Sequence, residues 1–339
     1  MTEHTPRDGL TGTDAVHNPV IHAVESPKRW TRGRIIIQCV GFLIGIGLFI
    51  LTCMLAFSEE NQQQLDALRT APIQLMLLLM LFSASSIIAN GVMFWITLLP
   101  HRRLNTVDVI ATNAIATFLS LLPFKLGLLI RALIHHRRDG VSFKMLLAWF
   151  ASMSALALAI VIPMALAGLW RGEVDALWWT AAIVGPIACT AAGVVCGRLA
   201  TRFPILSTLS LGADKIVRDI PTVTGHFIVR IVDVALLAGR FMVAAKILGL
   251  EMTLDQAILI GTTYFLLSVL SPTGTLGTRE AGTAGVGMLQ GIDVAAVALL
   301  VTAAETLAAL LLSLPGAYRL RLHRIITGRE SLRADEHDA

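Results

Sequence analysis

Catalytic signatures are what this sequence lacks. It has no GxSxG, no HExxH, no P-loop and no Rossmann glycine pattern following a strand, so the chemistries those motifs carry have no visible seat. The four cysteines (Cys39, Cys53, Cys189, Cys196) form no CxxC, have no histidine neighbours and fall inside apolar runs. They are expected to pack in the core and to form neither a disulfide nor a metal site. No catalytic residue, metal ligand or cofactor is expected. Charge is scarce as well: 15% of residues are Asp, Glu, Lys or Arg, against about 25% in ordinary domains. The net charge of +4 comes from Lys and Arg at helix ends, which points to membrane orientation and not to nucleic acid. A cleavable signal is missing too. The first apolar run begins too late, is too long and has no small-residue cleavage site after it, so it should act as an uncleaved anchor.

Hydrocarbon is what the chain has. Of its 339 residues 55% are apolar, and they fall in blocks at 35–57, 73–99, 145–170, 177–196 and 294–314. Each block reaches the roughly 20 residues that an α-helix needs to cross a bilayer. None resembles a membrane β-strand of about ten alternating residues. A sixth span is expected at 226–249 despite its internal charges. The fold class is therefore all-α, a polytopic membrane helical bundle. Residues 1–34 read as a disordered cytoplasmic tail ending in Lys28, Arg29, Arg32 and Arg34, and residues 321–339 as a second cytoplasmic tail.

Charge at the loops sets the expected topology. The basic cluster before the first span holds the N-terminus in the cytoplasm, and Glu59, Glu60 and Asp66 place the next loop outside. The segment 106–134 lies between Arg102–Arg103 and Arg137–Arg138, so both of its ends belong to the cytoplasm. Within it, LPFKLG carries Pro123, which removes a backbone donor, and Gly127, which permits a reversal. The segment is expected to be a re-entrant hairpin with arms 107–122 and 128–136. Residues 203–220 should lie along the cytoplasmic interface. From 254 to 292 the pattern repeats, with an apolar helix, the break SPTGTLG and a shorter helix. Its far end, 291–293, has no Lys or Arg, whereas Arg319, Arg321 and Arg324 follow the last span, so this hairpin enters from outside and the C-terminus lies inside. The result is a membrane domain over 35–320 with six spans and two opposed re-entrant hairpins. Its halves, 35–170 and 177–318, form an inverted repeat, a pattern that points to a site where the broken helices meet near the midplane.

The two breaks concentrate the chemistry. The first holds Pro123, Lys125 and Gly127, followed by Arg131; the second holds Pro272, Gly274 and Gly277, followed by Arg279 and Glu280. Each short helix that follows should point its free N–H groups and positive dipole end at the break, where an anion such as phosphate would be attracted. Arg279–Glu280 is either a self-neutralising structural pair or part of the site. Arg131 faces the break or snorkels to the surface. Arg230, Asp233 and Arg240 share one helical face, which should look into the bundle, while Lys246 snorkels. Glu305, near mid-depth between Thr302 and Thr306, pairs with an arginine from another helix or takes up a proton. Asn90 and Asn113 are interhelical hydrogen-bonding groups or ligands. His135 and His136, beside Arg137 and Arg138, suit headgroups better than a metal.

At 113–142 and 271–293 the chain resembles the flippase-like lysylphosphatidylglycerol synthase transmembrane-region family. The stretches NAIATFLSLLPFKLGLLIRALIHHRRDGVS and SPTGTLGTREAGTAGVGMLQGID match that family's asparagine-to-proline-glycine-arginine motif and its motif ending in Gly-x-Arg-Glu. The resemblance covers about 35–320. It implies a bacterial inner-membrane protein related to the lipid-translocating half of the enzymes that make and flip aminoacylated phosphatidylglycerol. With only 319–339 after the last span, aminoacyl transfer is not expected. The chain departs from the family at Leu128, where an acidic residue is usual, and at Glu305, near where arginine is common. What the resemblance implies is a flippase that moves a polar or anionic phospholipid between leaflets. Membrane lipids would be its partners, and a homo-oligomer is compatible with the sequence. The phosphate would face Lys125, Arg131 and Arg279, with Asp233, Glu280 and Glu305 balancing them in the empty site. The alternatives are a membrane-embedded transferase on a lipid-linked substrate, with Glu280 or Glu305 as base, and a non-transporting accessory subunit.

Overall fold

The computed structural model describes residues 32–122, 125–200, 202–203, 210–271 and 275–327. The chain divides into two units, 1–37 and 38–339. The described part of the first unit is the helical start of α1. Of the tail expected at 1–34, residues 1–31 lie outside the described residues and 32–34 are helical, which corrects its inner boundary. Of the tail expected at 321–339, residues 322–326 form a short helix and 328–339 lie outside the described residues. Every described element is helical. In chain order they are α1 (Arg32–Ala56), a short 3-10 turn (Glu59–Asn61), α2 (Gln62–Arg69), α3 (Ile73–Leu98), α4 (Thr106–Leu119), α5 (Leu126–Arg137), α6 (Phe143–Arg171) and α7 (Ala176–Ala200). They continue with α8 (Ala213–Arg218), α9 (Ile220–Ile247), α10 (Leu254–Leu270), α11 (Thr278–Leu289), α12 (Ala295–Arg319) and α13 (Leu322–Ile326).

Local chemistry sets the boundaries. Asn105 caps α4 by accepting from the N–H groups of Val107 and Asp108, Ser142 caps α6 through Met145, and Asp219 caps α9 through Thr222. α6 stops at Gly172, whose φ of +67° suits glycine. α10 opens on a Thr253/Gln256 capping box.

Among the described residues five helices are long and apolar enough to cross a membrane: Gln38–Ala56, α3, α6, α7 and α12. The chain is a multi-pass membrane protein. α9 spans 28 residues, and Arg230, Asp233, Arg240 and Lys246 set it apart. The first three are buried inside the bundle and Lys246 is exposed, as the one-face spacing predicts. Small residues let helices approach closely: Gly91 of α3 lies against Ile110 of α4, Gly316 of α12 against Ala111 of α4, and Gly185 of α7 against Pro163 of α6. α4 thus sits between α3 and α12, while α9 packs on α3 and α10. Trp149, fully buried, donates from Nε1 to Thr97 Oγ1 at 2.8 Å and so joins α6 to α3.

Contacts between loops sort the helix ends into two groups. At one end Gly212 lies against His101, Gly140 against Arg102, and Arg137 donates to the Ile325 carbonyl at 2.9 Å. Asp108 there accepts from Arg138 Nη2 at 2.7 Å and Arg319 Nε at 2.6 Å. At the other end Asn61 Nδ2 donates to Asp293 Oδ2 at 2.9 Å, Gly249 lies against Ala67, and Leu68, Ala71, Leu250, Met252 and Ile292 all pack against the same core cluster. Both outer ends of the pair α4–α5 therefore lie in the first group, and both outer ends of α10–α11 lie in the second.

The cysteines correct an expectation. Cys39, Cys189 and Cys196 are exposed on their helices and Cys53 is only half-buried, all four as free thiols. An apolar run in a membrane helix has an outer face that meets lipid, so apolar neighbours in sequence do not imply burial in protein. The segment 203–220 lies partly outside the described residues, and its described part includes the short helix α8.

Candidate functional site

The two helix breaks come together. Thr275 Oγ1, in the break before α11, donates to the Ser120 carbonyl at the C-terminal end of α4 at 3.2 Å. Each break is held by a glycine that leaves no room for a side chain. A Cβ on Gly127 would stand 2.1 Å from the Ala116 carbonyl oxygen, so the two arms of the first pair touch there. Gly277, at φ +84°, brings the second break against α1, where a Cβ would stand 1.7 Å from the Gly45 oxygen.

Around this junction lies a cavity of about 270 Å³, close to the roughly 300 Å³ at which small-molecule sites begin. α3, α4, α5, α6, α9, α10, α11 and α12 all contribute to its wall. Of the residues singled out in the sequence, Asn113, Gly127, Arg131, Asp233, Arg240, Arg279 and Glu305 line it, and so does Asn90. Glu280 stands directly behind, bonded to Arg279. Gly277 is at the α1 contact, and Lys125, half-buried in left-handed backbone at the start of α5, is outside the lining. Pro123, Pro272 and Gly274 lie outside the described residues.

Among the described residues the charges at the cavity form two paired groups and one cation with no carboxylate partner. In the first group Arg230 Nη1 meets Asp233 Oδ2 at 2.8 Å, and Ser86 Oγ donates to Asp233 Oδ1 at 2.5 Å. The Arg230 guanidinium also lies over Phe265, 4.6 Å from the ring centre. In the second group Glu305 Oε2 is shared by Arg240 Nη1 at 3.4 Å and Arg279 Nη1 at 3.3 Å, and accepts from the Tyr264 hydroxyl at 3.0 Å. Glu305 thus pairs with arginines of two other helices, the first of the two roles expected for it. Arg279 Nε donates to Glu280 Oε1 at 2.8 Å, and its guanidinium stacks 4.4 Å over Tyr264. Glu280 also accepts from Thr302 Oγ1 and from the Gly277 N–H, both at 2.6 Å.

That last bond changes one expectation. The first amide at the N-terminus of α11, that of Gly277, is not free for an outside anion, because the Glu280 carboxylate three residues along folds back and takes it. The cation with no carboxylate partner among the described residues is Arg131. It is buried, it hydrogen-bonds the Asn113 side-chain oxygen at 2.5 Å, and its guanidinium lies 3.6 Å over the Phe94 ring. Asn113 in turn donates to the Ile87 carbonyl at 2.7 Å, so it works as a hydrogen-bonding bridge between α3, α4 and α5.

Tyr264, Phe94 and Ser86 complete the site without having been singled out, and Thr302, named only as a neighbour of Glu305, joins it by donating to Glu280. Tyr264 had a legible signal, as one of only two tyrosines in the chain and one set in an apolar helix; buried tyrosines seek a partner for the hydroxyl. Phe94 and Ser86 look like ordinary members of α3. Among the described residues no group of three or more His, Cys, Asp or Glu side chains could hold a metal ion.

The profile of the family described as lysylphosphatidylglycerol synthase TM region matches residues 38–316. Comparison with curated proteins and with solved structures gives no match.

Proposed function

The chain belongs to the lysylphosphatidylglycerol synthase TM-region family, and we propose that it is a lipid flippase, moving a polar or anionic phospholipid headgroup between leaflets of the bacterial inner membrane. The observation that carries the reading is the cavity at the meeting of the two breaks, lined from one side by Ser120, Gly127 and Arg131 and from the other by Thr275 and Arg279. A charged side chain at mid-bilayer costs about 2.5–3.5 kcal/mol even on the mildest scale. Retaining four arginines there is consistent with a path for a polar group.

In this reading α9 is a sixth span, because its charges face the bundle and its outer face meets lipid. The pairs α4–α5 and α10–α11 are re-entrant hairpins from opposite faces, related as an inverted repeat. Both termini are cytoplasmic, since the end that gathers Arg102, Arg137, Arg138 and Arg319 is the basic one. The headgroup sits between the hairpin tips while the acyl chains stay in the bilayer.

The test is leaflet-resolved translocation of fluorescent phospholipids in proteoliposomes. Wild-type protein is expected to raise the rate above that of empty vesicles, and Arg279→Ala to return it toward that baseline. Equal rates in loaded and empty vesicles would overturn the reading.

A further inference from the structure

We propose that the cavity selects a headgroup carrying a single phosphodiester negative charge and no ammonium group, held at Arg131. The proposal deepens the reading of the cavity as a headgroup site by naming the class of lipid it takes.

It follows from the balance of charge. Four arginines (131, 230, 240 and 279) line the cavity. They face three carboxylates: Asp233 and Glu305 in the lining, and Glu280 bonded to Arg279. One positive charge is left over, and the geometry says which. Arg230 has Asp233, while Arg240 and Arg279 share Glu305 and Arg279 also has Glu280. Arg131 has no carboxylate within ion-pair distance among the described residues, and its buried Nε has no hydrogen-bond partner there. Its two firm contacts, the Asn113 amide oxygen and the Phe94 ring, orient a guanidinium without neutralising it. A buried cation with open donors and no counter-ion suits one anion, and the planar fork suits the oxygens of a phosphodiester.

The same balance disfavours a cationic headgroup. Every carboxylate at the cavity is already held by an arginine, so an ammonium would find no free acid and would meet a net positive charge. Leu128, which lines the wall next to Gly127, supplies none either. Phosphatidylglycerol has the predicted charge. Its lysyl ester, with a net positive charge, does not.

The experiment is equilibrium binding by native mass spectrometry of the full chain in detergent micelles. Phosphatidylglycerol, lysylphosphatidylglycerol and phosphatidylethanolamine are the lipid probes. sn-Glycerol 3-phosphate serves as a water-soluble competitor that separates a free phosphate from a lipid source. Wild type is expected to bind phosphatidylglycerol about tenfold or more tightly than either ammonium-bearing lipid. Arg131→Gln should remove about tenfold of that affinity, as loss of a charge-assisted hydrogen bond does, and Arg131→Lys should restore part of it. Failure of the soluble competitor to displace the lipid supports a membrane source; displacement supports a phosphate site open to water. Equal or tighter binding of the lysyl lipid to wild type would overturn the proposal whether or not the variants fold. Because binding in micelles requires no translocation, phosphatidylglycerol binding without vesicle transport would sink the flippase reading and leave this one standing.

Discussion

At the scale of single residues the site is organised by acids that hold arginines in place. Glu280 is fully buried and accepts from the Gly277 N–H, the Arg279 guanidinium and the Thr302 hydroxyl. Glu280→Ala would strand all three donors at once. Removing one partner of a buried pair costs about 3–5 kcal/mol, so this variant is expected to unfold at markedly lower temperature in detergent. Glu280→Gln keeps an acceptor of the same shape and loses the charge, so it should fall between the two. A melting temperature unchanged in Glu280→Ala would mean that these bonds do not hold the break. Part of this was legible in the sequence. Arg279 and Glu280 are neighbours in the chain, and Arg230 and Asp233 are one turn apart on a helix, so their pairing follows from spacing alone. The partners of Glu305 were not legible by name, because Arg240, Tyr264 and Arg279 reach it from three other helices and only packing brings them together.

At the scale of elements the breaks depend on glycines whose roles differ by position. Gly127→Ala would press a methyl group against the Ala116 carbonyl and force apart the arms of the first pair. Gly277→Ala would do the same against Gly45 of α1 and would also strain a backbone at φ +84°. Gly285, inside α11 with open space around it, is the control: alanine there should be neutral or stabilise by roughly 0.5–1 kcal/mol. The expected order of thermal stability in detergent is Gly285→Ala at or above wild type, with both break variants well below it. A Gly127→Ala protein as stable as wild type would show that the arms need not touch. The helices themselves were readable. The proline and glycine of each break, and the basic residues flanking the first pair, placed α4, α5, α10 and α11 to within a few residues of their observed ends. At the N-terminus of α11 dipole reasoning counts the Gly277 amide as free without asking whether a side chain of the same turn reaches it first, as Glu280 does. The cysteines were misread because a helix in lipid is apolar on its outer face as well as its inner one.

At the scale of the whole molecule the two groups of loops are tied by different chemistry, an ion-paired carboxylate at one end and an amide–carboxylate hydrogen bond at the other. Asp108 gathers Arg138 and Arg319 and so fastens the first helix pair to the end of α12. Burial pushes its carboxyl upward, but the hydrogen bonds and charges of the two arginines outweigh burial and hold it below its usual value. A carboxyl depressed in the folded state adds stability that is complete at neutral pH and is lost as the pH falls below about 4. Wild type is therefore expected to hold this contribution to its unfolding temperature down to about pH 4 and to lose it as the pH is lowered further. Asp108→Asn should start lower at pH 7 and show a shallower dependence; parallel slopes would assign the effect to other groups. The arrangement of ends also fixes the most demanding expectation, which concerns topology. In a protein with its four cysteines replaced, single cysteines at Arg103 and Asp139 flank α4–α5, and those at Glu251 and Gly291 flank α10–α11. Two hairpins that each return to the face they entered require the first two positions to react with an impermeant maleimide from one side of the membrane and the last two from the other. If Arg103 and Asp139 reacted from opposite sides, α4–α5 would cross completely, the breaks could not meet as half-crossing tips, and the polar cavity would lose its place as a route between leaflets.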